Sequence, residues 1–175
     1  TIIEPILVGD PDRIRAVAKE EGLDLGEAEI VEAPTHHAAA HAAVDLVVEG
    51  RAKALMKGHL HTDELLRAVL RKERGLRAGR RLTHVFVMDV PGLDHPLLVT
   101  DAAINISPDL ETKVDIVQNA IDLARSLGME EPRVGVLSAI ETVNPKLPSS
   151  TDAALLSKMA ERGQITGGLV DGPLA

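Results

Sequence analysis

The chain has 175 residues, 45% of them hydrophobic, one aromatic side chain (Phe86) and a formal net charge of −8. That length suits one large domain or two small ones, and the core must be aliphatic. The absence of cysteine excludes disulfides, thiolate catalysis and zinc-thiolate sites, while the acidic balance and lack of aromatic platforms argue against a nucleic-acid partner.

No apolar run approaches a membrane span, and Thr1-Ile2-Ile3-Glu4-Pro5 lacks the basic start and cleavage site of a signal peptide. A cytoplasmic α/β protein without a membrane partner is the expected class. Strand and helix signals alternate. Pro5–Gly9 is a short aliphatic strand, followed by Asp10-Pro11 as N-cap and first helical position, with Gly22 as the stop. Glu29–Ala33 is a second strand, and Thr35 caps a helix rich in Ala and His that ends at Gly50. Ala52–Lys57 reads as a third strand. Thr62-Asp63-Glu64 opens a helix with Leu65, Leu66, Val69 and Leu70 on one face, ending near Gly75. Thr83–Val90 is almost entirely apolar, as a parallel strand covered on both faces would be. Leu97–Thr100 is the next strand. Ser107-Pro108-Asp109 caps the longest helix, whose Leu110, Val114, Val117, Ile121 and Ala124 follow helical spacing to a stop at Gly128. Arg133–Ser138 is a strand. Ser149-Ser150-Thr151-Asp152 opens a further helix, with Ser149 and Asp152 at capping-box spacing, and Leu169–Asp171 is a last strand.

The turn-former cluster Pro91-Gly92-Leu93-Asp94-His95-Pro96 reads as a hinge, dividing the chain into parts 1–93 and 94–175 of two α/β domains. Both ends of the chain look cut rather than finished. Two polar loops, Thr100–Ser107 and Ser138–Ser150, follow strands at the end where open α/β sheets bind ligands.

No Gly-x-Gly-x-x-Gly follows a strand and no Walker lysine motif occurs, so standard dinucleotide and P-loop readings fail. Asp10, Asp89, Asp101, Glu141 and Asp171 sit near strand ends, where caps and turn formers are common. Met56-Lys57-Gly58-His59 leads into a helix N-terminus. Gly58 would admit a phosphate to the backbone and Lys57 would supply charge; the plainer reading is an ordinary loop with a solvated lysine. His37 and His41 stand one helical turn apart, but no Glu follows His37 as a zinc-protease motif requires. His37, His41 and Asp45 therefore read as an exposed helix stripe, and no metal site is assigned. Arg67, Arg71, Lys72, Arg74, Arg77, Arg80 and Arg81 form a basic run, either a solvated face or a site for a polyanion, with Arg67 and Arg81 the preferred pair. Ser149 and Ser150 serve equally as caps or as ligand contacts.

Leu98-Val99-Thr100-Asp101-Ala102-Ala103-Ile104-Asn105-Ile106, Asp109-Leu110-Glu111-Thr112-Lys113, Val136-Leu137-Ser138-Ala139-Ile140-Glu141 and Pro148-Ser149-Ser150-Thr151-Asp152-Ala153 together resemble the phosphate acetyltransferase/phosphate butyryltransferase family. Leu55-Met56-Lys57-Gly58 and Thr83-His84-Val85-Phe86-Val87-Met88 look like its strands. The resemblance covers essentially the whole chain and looks closest to the branch in which such a domain can follow an enoyl-CoA hydratase domain. It implies a two-domain αβα sandwich with mostly parallel sheets, related to the isocitrate and isopropylmalate dehydrogenases, in a homodimer. The implied reaction moves an acyl group between acyl phosphate and coenzyme A by direct thiol attack in an interdomain cleft. Inorganic phosphate is the other product or substrate, and no cofactor is tightly bound. On the residues present, the resemblance implies Lys57, Gly58, Arg67, Arg81, Ser138, Ser149 and Ser150 as substrate, coenzyme A and phosphate contacts. A Ser-Arg pair and an Asp that carry catalysis in the family are expected beyond Ala175, so no catalytic residue is assigned and the chain alone is expected to have little activity. Two other readings compete: a metal- and NAD-dependent dehydrogenase of the related fold, and a non-catalytic domain that binds coenzyme A or phosphate.

Overall fold

A computed structural model describes residues 3–175; Thr1 and Ile2, part of the amino-terminal stretch considered above, lie outside the described residues. The chain divides into two compact units, Thr1–Gly79 and Arg80–Ala175.

In the first unit, β1 (Ile6–Gly9) and β2 (Glu29–Glu32) pair in parallel, Ile6 opposite Glu29 and Gly9 opposite Glu32. Parallel pairing needs a long connection, and α1 (Pro11–Glu20) supplies it. Its N-cap is Asp10, whose carboxylate accepts the N–H groups of Asp12 (2.9 Å) and Arg13 (3.3 Å). Helix α2 (His36–Val48), capped by Thr35, and α3 (Thr62–Val69) pack together over Ala40, Val44 and Ala68, with Leu55, Leu60, Val69 and Leu76 around them. Small alanines at the centre let the two helices approach closely. The expected strand at Ala52–Lys57 does not form. A strand needs a ladder partner, the sheet here holds β1 and β2 among the described residues, and Met56 is 96% exposed. Helix α3 also stops at Val69 rather than near Gly75, and the buried residue of its face is Ala68, while Leu70 faces out.

In the second unit, β3 (Val85–Met88) and β4 (Leu97–Thr100) form an antiparallel hairpin. This corrects the expectation of a buried parallel strand. Phe86, Met88, Leu97 and Val99 share one face of the hairpin and remain 41–50% exposed. The Pro91–Pro96 cluster lies in the hairpin connection, and the compact units divide earlier in sequence, between Gly79 and Arg80. Helix α4 (Leu110–Ser126) starts at its N-cap Asp109 and stops before Gly128, which holds φ +97°. Strands β5 (Arg133–Leu137) and β6 (Leu169–Leu174) are parallel and linked by α5 (Pro148–Glu161). Val117 and Ile121 of α4, Leu156 of α5, Ile165 and Val170 make the core of this unit. The helical spacing read from Leu110 to Ala124 thus marks the buried face correctly. Helix α5 differs in its start: Pro148 takes the first helical position and Leu147 the N-cap, so the Ser149/Asp152 capping box does not form.

Candidate functional site

The two loops singled out in the sequence sit at the carboxyl ends of β4 and β5, within the second unit. Each is held by its own side chains. In the loop after β4, the Asp101 carboxylate accepts the N–H of Ala103 (3.2 Å) and of Ile104 (3.1 Å), and the Asn105 amide. Asn105 also donates to the Leu82 carbonyl at 3.3 Å, and the Thr100 hydroxyl to the His84 carbonyl at 2.7 Å. Burial alone would push the Asp101 carboxyl up, but the donors from Asn105, Ile104 and Ala103 outweigh it and hold the group below its ordinary range. Asp101 is therefore ionised and turned inward on its own loop.

The loop after β5 carries the hydroxyl groups. The Ser138 N–H donates to the Leu174 carbonyl at 2.7 Å, which ties the end of β5 to the end of β6. The Ser138 Oγ lies 2.9 Å from the Ser149 Oγ, both half-buried. Ser149 stands in the first turn of α5, where unpaired backbone N–H groups and the helix dipole favour negative charge. Ser150 is fully buried; its hydroxyl donates to the Asn144 carbonyl (3.1 Å) and accepts the Asn144 N–H (2.8 Å). Lys113 of α4 reaches Asp152 at 2.5 Å and ties this turn to the neighbouring helix. Of the seven expected contacts, the structure brings Ser138 and Ser149 together and gives the Ser150 hydroxyl an internal task.

Of the remaining four, Lys57, Gly58 and Arg67 belong to the first unit and Arg81 to the second. In the first unit, Lys57 turns its ammonium onto the carbonyls of Gly58 (3.3 Å) and Leu60 (3.0 Å). Gly58 is exposed, with open space where a Cβ would stand. Arg67 pairs with Asp63 one turn earlier, at 2.6 Å, and is 76% exposed. In the second unit, Arg81 faces Asp115: its N–H donates to the carboxylate at 3.1 Å and its Nε lies 3.9 Å away. Among the described residues, five of the seven cations of the basic run, Arg67, Arg71, Arg74, Arg80 and Arg81, pair with acids. Arg74 pairs with Glu49, and Arg80 with Asp122. Burial would raise the Asp122 carboxyl, but Arg80 and Gln118 hold it below the usual range.

In the His37/His41/Asp45 stripe, His37 is exposed as expected, while His41 and Asp45 are not. Arg71 lies across α2, with its guanidinium on Asp45 and 2.8 Å from His41 Nδ1, so Asp45 and His41 are half-buried at a helix–helix contact. Among the described residues, no three His, Asp or Glu side chains come together as a metal site. Sequence reasoning also passed over His84, a polar residue at the edge of an apolar run. Its Nδ1 is buried without a partner among the described residues, and its ring meets Phe86 edge-on at 4.4 Å. A cleft of about 360 Å³ lies beside Arg133, Leu169, Asp171 and Glu161, at the amino-terminal ends of β5 and β6, away from Ser138.

Comparison with known proteins points the same way as the two loops. The family model described as "Phosphate acetyl/butaryl transferase" matches residues 34–175. The chain is 62% identical over 174 residues to a phosphate acetyltransferase of Rhizobium meliloti, covering 99% of this chain and 55% of that protein. It is 48% identical to a phosphate butyryltransferase of Clostridium acetobutylicum, covering 99% of this chain and 58% of that protein. The chain thus spans about half the length of the curated relatives it matches. Among solved structures, a branched-chain phosphotransacylase from Enterococcus faecalis superposes with a TM-score of 0.75 at 30% identity, covering 97% of this chain and 69% of that one. The EutD phosphotransacetylase of Staphylococcus aureus superposes with a TM-score of 0.70 at 20% identity, covering 97% and 60%, which supports the fold alone.

Proposed function

The chain belongs to the phosphate acetyl/butyryl transferase family, and from that premise we propose that the protein exchanges an acyl group between acyl phosphate and coenzyme A. The observation that carries this reading is 62% identity to a phosphate acetyltransferase along nearly the whole chain. Acetyl and butyryl are both open as the acyl group, because relatives named for each match the same residues. One methylene in an apolar pocket discriminates by only about 1–3 kcal/mol. The thiol of coenzyme A attacks the acyl carbonyl, the carbon–oxygen bond to phosphate breaks, and the thiol proton passes to a base. The site must then offer donors to an anion that gains charge as the bond breaks.

Ser138 and Ser149 are the best-placed donors on this chain. Their hydroxyls lie 2.9 Å apart at a strand's carboxyl end and in the first turn of a helix. A bound phosphate or carbonyl oxygen replaces the contact each makes with the other. Lys57, Gly58, Arg67 and Arg81 complete the set of proposed phosphate and coenzyme A contacts. Open space at Gly58 supports its place there, whereas Arg67 and Arg81 must each exchange a carboxylate for the ligand. The same reading carries an isocitrate dehydrogenase-like two-domain organisation, a homodimer and a cytoplasmic location.

The test is thioester formation from acetyl phosphate or butyryl phosphate and coenzyme A by the intact protein, with chelator present. Replacing both Ser138 and Ser149 by Ala removes two donors to an anion, about 1.5–3 kcal/mol each, so kcat/KM should fall at least tenfold. Unchanged turnover in the double variant would remove the two serines from the site. Nicotinamide-dependent oxidation of a hydroxy acid, with no thioester formed, would overturn the reaction itself.

A further inference from the structure

The Ser138–Ser149 pair is not held by its own contact alone. The loop between its two members, residues 139–148, is tied at Asn144 to Ser150, the fully buried residue just past Ser149 in α5. We propose that Ser150 is a positioning residue: its hydroxyl locks Asn144 and thereby sets the separation of the two reactive-site hydroxyls. The inference rests on the acyltransferase reading above, because only there do the two hydroxyls have a task.

The geometry is specific. The Ser150 Oγ donates to the Asn144 carbonyl at 3.1 Å and accepts the Asn144 N–H at 2.8 Å, so one side chain satisfies both backbone groups of one residue. The Asn144 carbonyl also accepts the Leu147 N–H at 2.9 Å, and the Asn144 side chain accepts the Lys146 N–H at 3.0 Å. Asn144 is thus the knot of the loop, and Ser150 is the only side chain from α5 tied to it. Ser149, its immediate neighbour, faces Ser138. The other end of the loop is fixed independently, through the Ser138 N–H on the Leu174 carbonyl. With β6 holding Ser138 and Ser150 holding the approach to Ser149, a 2.9 Å hydroxyl separation is set by two anchors. Removing the Ser150 hydroxyl leaves the Asn144 N–H without its acceptor and frees the loop on one side only. Displacements of about 1 Å in a reacting constellation can cost up to about a hundredfold in rate, so a loosened anchor has a kinetic signature.

The experiment is a mutant cycle in the intact protein, assayed for thioester formation from acetyl phosphate and coenzyme A, with amide hydrogen exchange on each variant. Ser150→Ala should lower kcat about tenfold or more. In the background lacking both Ser138 and Ser149 hydroxyls, the same change should cost less than about twofold, because an effect acting through absent groups cannot be additive. The Asn144 amide should lose protection in Ser150→Ala, while amides in the middle of α5 and in β5 keep theirs. A full Ser150→Ala loss in the doubly substituted background would overturn the inference. So would wild-type kcat in Ser150→Ala, or loss of protection across β5 and α5, which would make Ser150 a support of the whole unit. If the Ser138/Ser149 substitutions themselves leave turnover unchanged, the site reading fails first and takes the positioning role with it.

Discussion

Two arginines of the same basic run show how much a side chain's surroundings decide. Arg67 and Asp63 form an exposed pair one helical turn apart, 76% and 60% exposed. Such pairs contribute about 0.3–0.5 kcal/mol. Arg71 is only 19% exposed; it holds Asp45, approaches His41 Nδ1 at 2.8 Å, and donates its Nε–H to the Arg74 carbonyl at 2.8 Å. An arginine can only donate, so His41 must accept through Nδ1 and carry its proton on Nε2. Replacing Arg71 by Met strips three acceptors of their donor and leaves Asp45 half-buried beside Arg74. The expected cost is about 1–2 kcal/mol, against less than about 0.5 kcal/mol for Arg67→Met. Urea unfolding followed through α2 and α3 compares them, and equal costs would show that the clasp contributes nothing. None of this was visible in the sequence. Arg71 and Arg67 share one stretch, and only the packing of α3 on α2 separates them.

Elements were legible where local chemistry sets them. Asp10-Pro11 and Asp109 start α1 and α4 because a carboxylate before the first turn accepts orphan N–H groups. The apolar face of α4 follows from spacing alone. The β3–β4 hairpin was misread because Val-Phe-Val-Met is equally consistent with either strand direction. The decisive signal lay in the connection: Asp89–Pro96 is too short for a parallel crossover, which needs about a dozen residues. The closeness of Ser138 to Ser149 was also out of reach, since it depends on how β5, α5 and β6 pack. Gly172 is a point where that packing is tight. A Cβ there would stand 2.9 Å from the Val136 carbonyl oxygen, 3.0 Å from the Val136 Cβ and 3.1 Å from the Ala153 Cβ. Backbone and branched side chains cannot swing away, so Gly172→Ala should destabilise the second unit by about 1–3 kcal/mol and lower its melting temperature. Gly58→Ala, with nothing within 4 Å, should leave melting nearly unchanged. A Gly172→Ala protein as stable as the parent would mean that β6 can shift away from β5 and α5.

At the scale of the whole molecule, two electrostatic effects act as pH falls. A net charge of −8 at neutral pH repels itself, and protonation relieves that repulsion only down to the isoelectric point near 5.3, below which it builds positive charge. Against this stand carboxylates whose native interactions need the charge. Hydrogen bonds from Thr112 hold Asp109 below its ordinary range, donors outweigh burial at Asp101, and Arg80 with Gln118 outweighs burial at Asp122. A carboxyl depressed in the folded chain binds fewer protons there than in the unfolded chain at acid pH. Its contribution is therefore complete above the unfolded value of about 3.9 and is lost as pH falls through the lower folded value. Overall repulsion is screened beyond about 8 Å at 0.15 M salt, while the hydrogen bonds to these three groups act at contact. Relief above the isoelectric point is therefore small, and below it the local loss and the growing positive charge act in the same direction, so the melting temperature should hold steady down to about pH 4 and then fall. Asp101→Asn, which removes one of the three depressed carboxyls, should give a shallower acid slope although it starts from a less stable protein. An acid slope in Asp101→Asn as steep as the parent's would show that this loop carboxylate contributes little to holding the fold.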